Sequence, residues 1–61
     1  MEEIIEGNEY TREELNDNGW KYIEIFATGK EVFMKGKEEL VWEEETGIVV
    51  LKYESYKKRD K

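Results

Sequence analysis

Oxygen-bearing side chains gather once in this chain at a spacing that suits a cation. In "YTREELNDNGW", Tyr10 to Trp20, the residues Glu14, Asn16 and Asn18 alternate ahead of Gly19. A calcium loop of the helix–loop–helix kind takes oxygen ligands from its first, third and fifth positions. It turns on a glycine at the sixth and closes with a bidentate glutamate at the twelfth. With Gly19 in the sixth place, the twelfth is Ile25, which has no side-chain oxygen. The same stretch also reads as a short helix marked at both ends. Thr11 and Glu14 have the spacing of a capping box, and Tyr10 and Leu15 stand where a hydrophobic staple places its two members. Glu13 and Glu14 fall in the first turn, where the positive end of the helix dipole favours acids. Asn18-Gly19 supplies the stop, with Gly19 in the left-handed region. The capping reading accounts for these residues one by one and predicts a helix from about Arg12 to Asn18.

Other chemistry finds few residues to use. The chain has neither Cys nor His, so thiolate chemistry and the usual neutral-pH proton shuttle are excluded. Ser55 is the single serine and has no imidazole to activate it. The glutamates come mostly as neighbours (Glu2-Glu3, Glu13-Glu14, Glu38-Glu39 and Glu43-Glu44-Glu45). Neighbours on a strand face opposite ways, a poor start for a carboxylate dyad. A chain of 61 residues also has little volume for a pocket of several hundred Å³. The expectation is a protein that is not an enzyme and carries no cofactor or metal.

Charge narrows the partners. The net charge is −6, from 16 acids and 10 bases, a sign that disfavours direct contact with a phosphate backbone. The distribution is uneven: residues 1–19 carry acids with Arg12 as their single base, whereas residues 57–61 are mostly basic. One domain over residues 1–56 followed by a basic flexible tail, 57–61, is expected. The longest apolar run, Ile48–Leu51, is far short of the roughly 18–20 residues of a membrane span. No secretory signal pattern is present, so the expected location is the cytoplasm.

Five glycines, at 7, 19, 29, 36 and 47, punctuate the elements that would position any functional group. Glu2–Glu6 reads as a short edge strand. After the helix the period changes to two: Trp20–Ala27, Val32–Lys35, Leu40–Glu43 and Ile48–Tyr56 read as strands joined by tight turns. The fold class is therefore α+β, a small twisted antiparallel meander of four to five strands with one short helix, the alternative being an SH3-like small barrel. Simple alternation puts Ile23, Ile25 and Ala27 on one face of the first long strand, with Trp20, Tyr22, Glu24 and Phe26 on the other. In the last strand it groups Val49 with Leu51 and Tyr53.

Both faces of such a sheet carry large apolar groups, and one short helix cannot cover two faces. Tyr22, Phe26, Phe33, Trp42 and Ile48 are left over once one face is given to the helix. A contiguous apolar patch marks an interface. Glu38 and Glu39 before Trp42, with Glu43, Glu44 and Glu45 after it, suggest an anionic rim that steers a basic partner. The expected function is a protein-interaction module acting through Tyr22, Phe26, Phe33, Trp42 and these glutamates. One alternative is an obligate homodimer with a structural or regulatory role. The other is a sheet that stacks single-stranded bases on its aromatics.

The layout "GNEYTREELNDNGWKYIEIF", Gly7 to Phe26, resembles small acidic orphan proteins of phages and AT-rich bacteria. In these a short strand, a "YTxEEL" helix start and a "GW" strand start recur. The resemblance implies a protein that binds and blocks a bacterial partner, including defence or nucleic-acid-handling proteins, in the host cytoplasm if phage-encoded. It carries over no functional residue.

Overall fold

The structure, a computed structural model, describes residues 3–54. The basic tail 57–61, Ser55 and the end of the last predicted strand lie outside the described residues. One helix, α1 (Arg12–Asp17), precedes four strands: β1 (Lys21–Ala27), β2 (Lys30–Lys35), β3 (Glu38–Glu43) and β4 (Val49–Glu54). The strands form one antiparallel meander in the order β1-β2-β3-β4, an open sheet not closed into a barrel. The predicted strand at Glu2–Glu6 is not formed over its described part. Residues 7–9 instead run beside the start of β4, through backbone bonds of Gly7 and Asn8 to Val49 and an isolated bridge between Glu9 and Ile48 just before it.

Local chemistry sets the helix. Thr11 Oγ1 accepts from the Glu14 N–H at 3.0 Å, and Glu14 Oε1 accepts from the Thr11 N–H at 2.8 Å. These two bonds satisfy donors that the first turn cannot pair. At the other end Gly19 takes φ +93°, and the Asn18 side-chain amide donates to the Glu14 carbonyl at 2.8 Å. A helix of 6 residues is only about 9 Å long and would not persist alone. Docking holds it: Leu15 is fully buried in a cluster with Ile4, Tyr10, Trp20, Phe33, Leu40, Trp42 and Val49.

Turn chemistry sets the sheet. Gly36 takes φ +62° while Lys37 stays negative, the φ pattern of a type II′ hairpin turn between β2 and β3. Between β3 and β4, the Thr46 hydroxyl donates to Glu43 Oε1 at 3.0 Å and accepts from the Ile48 N–H at 3.2 Å.

Three irregularities decide which side chains face the helix. β1 skips a partner between Tyr22 and Glu24, and again between Ile25 and Ala27. β4 skips one between Leu51, opposite Val41, and Val49, opposite Trp42. Each skip is a bulge, which breaks the two-residue alternation. The helix side therefore carries the rows Tyr22–Phe33–Leu40–Lys52 and Ile25–Glu31–Trp42–Val49. The opposite side carries Glu24–Val32–Val41–Leu51 and Lys21–Met34–Glu39–Tyr53. Simple alternation groups Tyr22 with Glu24 and Val49 with Leu51; the bulges at Ile23 and Val50 separate both pairs.

Two substitutions test this framework. Thr11→Ala should lower unfolding free energy by about 0.5–2 kcal/mol, whereas Thr11→Ser should leave the urea midpoint nearly unchanged. Trp42→Phe removes the indole donor that satisfies the buried Tyr10 carbonyl. It should cost about 1–3 kcal/mol on the same assay.

Candidate functional site

The expectation that Phe33 and Trp42 stand uncovered is corrected by their burial. Phe33 is 0% exposed and Trp42 5%, and both face α1. The cause is polar as well as apolar. The Trp42 Nε1–H donates to the carbonyls of Tyr10, at 2.9 Å, and Gly47, at 3.0 Å. An indole donor inside a core needs such acceptors, and only the helix side supplies them. The Arg12 guanidinium lies 5.1 Å from the centroid of the same ring, and Phe33 meets that ring edge-on at 6.0 Å.

Tyr22 and Phe26 do remain exposed, at 51% and 60%. They belong to β1, every residue of which is exposed. Ile25 and Ile23 are exposed there as well, at 63% and 44%. Tyr22 leans edge-on against Phe33 at 5.9 Å, so its ring is anchored on one side and open on the other. The helix, packed over β2 and β3 through Arg12 and Leu15, leaves β1 uncovered.

β1 is also an outer strand: β2 lies on one side of it and no described strand on the other. Its outward N–H and C=O groups form a template for another strand. The opposite edge is different. The Gly7 N–H donates to the Val49 carbonyl at 2.8 Å, the Val49 N–H to Asn8 at 3.0 Å, and the Lys52 N–H to Glu6 Oε1 at 3.1 Å. The N-terminal segment thus occupies the start of the β4 edge.

The predicted glutamates do not form one rim: Glu38 and Glu39 stand at one end of β3, Glu43, Glu44 and Glu45 at or beyond the other, and most are turned to internal use. Glu43 pairs with Lys30 at 3.5 Å, Glu44 with Arg12 at 3.7 Å, and Glu38 with Lys52 at 4.0 Å. Glu39 is hydrogen-bonded to the Tyr53 phenol. Glu45 is exposed, and no ion pair among the described residues uses it. Glu31, absent from the predicted rim, holds Arg12 most closely, at 2.8 Å. Its side chain is largely covered, and this bond, opposed by some desolvation, raises the guanidinium pKa. Surface pairs of this kind contribute about 0–1 kcal/mol each; their larger effect here is to reduce the free negative charge around Trp42.

The helix-free face covers itself. Val32 and Val41 are buried although no helix lies over them. The Glu24 carboxylate on β1 adds a small push to the raised pKa of the Tyr53 phenol on β4, on the same face three strands along the sheet. β1 is the most open apolar element. Sequence reasoning missed Ile23 and Ile25 because alternation assigned them to the helix face; only their place in an outer, bulged strand marks them.

No cavity is enclosed, no acidic cluster is arranged to hold a metal, and no helix is long and apolar enough to cross a membrane, among the described residues. Glu14 and Asn18, two of the three ligands of the calcium reading (the other is Asn16), are engaged as helix caps. No family model, curated protein or solved structure matches the chain.

Burial, followed by the Glu39 hydrogen bond and the charges of Glu39 and Glu24, raises the Tyr53 pKa above its ordinary 10.0. The folded state thus favours the protonated phenol. Stability from this site is present below pH 10 and is lost as pH rises through the folded pKa. Phenolate absorbance should show a component titrating above pH 10.0 that Tyr53→Phe removes. The stability difference between the two proteins should narrow over the same alkaline range. A wild-type titration identical to that of Tyr53→Phe plus one ordinary tyrosine would contradict the assignment.

Proposed function

We propose that this chain is a non-enzymatic protein-interaction module of the cytoplasm that acts by adding a strand to the free edge of β1. The observation that carries the reading is the coincidence, on one outer strand, of an unpaired backbone edge and four large exposed apolar side chains, Tyr22, Ile23, Ile25 and Phe26. Strand addition draws affinity from main-chain hydrogen bonds and specificity from the flanking side chains. An exposed apolar edge is a liability that folded proteins ordinarily blunt, so a use for it is the simplest account of its survival. The resemblance to small acidic phage proteins extends the reading to inhibition or modulation of a bacterial protein. In this version Glu45 and the partly paired Glu38, Glu39, Glu43 and Glu44 contribute charge around the docking strand, while Phe33 and Trp42 support it from the core.

The test is affinity capture from bacterial extract with three baits: wild type, Ile25→Lys combined with Phe26→Lys, and Glu45→Lys. Both β1 positions are solvent-exposed, so the first variant should keep the wild-type far-UV spectrum and an unfolding free energy within about 0.5 kcal/mol per substitution. Proteins retained by wild type should be lost from the β1 variant and recovered more weakly on Glu45→Lys. Equal recovery on all three baits would overturn the reading.

A further inference from the structure

We propose that the strand added to β1 is β1 of a second copy of this chain, antiparallel about a twofold axis passing between Tyr22 and Ile23; this rests on β1 being the interaction edge. The argument is one of charge and parity. Lys21 and Glu24 are the charged residues of β1, both are exposed, and neither forms an ion pair among the described residues. In a regular strand, residues three apart point to opposite faces. Here the bulge at Ile23 brings them to one face, because Lys21 pairs with Met34 and Glu24 with Val32, two residues apart on β2.

Two strands related by a twofold axis normal to their joint sheet must present like faces at each pair. A bulge-free β1 could not set Lys21 opposite Glu24 of a copy and satisfy that condition; this one can. The register that does so places Tyr22 opposite Ile23 of the second copy, giving one Lys–Glu pair on each side of the axis. Every other twofold register within β1 sets both charges against apolar residues or sets a charge against its own kind. Opposite charges across a strand pair stabilise it and like charges destabilise it. The twofold arrangement is closed, since it uses the same edge from both copies.

A seam of this length is at the small end of specific interfaces, which hold weak and transient complexes. The dimer should therefore fill in between about 10 µM and about 1 mM. Sedimentation velocity across that range, at low salt, tests it with the full chain. Lys21→Glu and Glu24→Lys should each weaken self-association by about tenfold, because each puts like charges on both sides of the axis. The double variant Lys21→Glu with Glu24→Lys should recover it. A double variant no better than the singles overturns the register. Singles that associate as wild type overturn it too. A wild-type chain that stays monomeric throughout, while the Ile25→Lys/Phe26→Lys bait still loses its captured proteins, overturns the second copy as occupant and leaves the interaction edge standing. A monomer whose captured proteins ignore the β1 substitutions overturns both.

Discussion

The fork of hydrogen bonds at the Trp42 indole joins three parts of the chain at one buried point. One N–H holds the carbonyl of Tyr10, just before the helix, and that of Gly47, in the turn between β3 and β4. The Gly47 carbonyl also receives the Tyr10 N–H at 2.7 Å. The junction is too tight for a side chain: a Cβ at Gly47 would sit 3.1 Å from the Tyr10 oxygen, and the residue has φ +80°. Once Tyr10 is fixed there, its ring and Leu15 bring α1 down on the sheet. Arg12 then follows onto the outer side of the indole and onto Glu31. A helix of two turns has its place assigned by this junction more than by its own propensity.

That dependence explains which parts of the fold were legible. Thr11, Glu14 and Gly19 announce the helix because capping is local chemistry, complete within a few residues. The turn glycines announce the hairpins for the same reason. The meander follows from them, and the structure has it, without closure into a barrel. Side-chain facing is different. It passes through the bulges at Ile23, Phe26 and Val50, and a bulge answers to the twist of the paired strands, which alternation in one strand does not encode. The helix-facing side of β2 and β3 was misjudged for another reason. Giving the aliphatic face to the helix satisfies apolar burial but leaves the Trp42 N–H unpaired, and its acceptors lie 32 and 5 residues away.

The charges show a similar division. In sequence the glutamates around Trp42 read as one block facing outward. In space Lys30, Arg12 and Lys52 come back to meet Glu43, Glu44 and Glu38, and Tyr53 meets Glu39. The composition remains acidic, but Glu31, Glu38, Glu43 and Glu44 face bases of the same chain. The apolar residues of β1 are therefore the more distinctive surface. They stay exposed for a geometric reason: α1 packs through Arg12 and Leu15 on residues of β2 and β3.

The segment before the helix has a further consequence through the backbone of β4. Its bonds to Val49 and Lys52 occupy part of the edge that a second incoming strand would use, while no described strand lies along the outer side of β1. On the proposed use of β1, the two edges are therefore unequal. A chain with two equally open edges can grow into a polymer; one with a single open edge joins once and terminates.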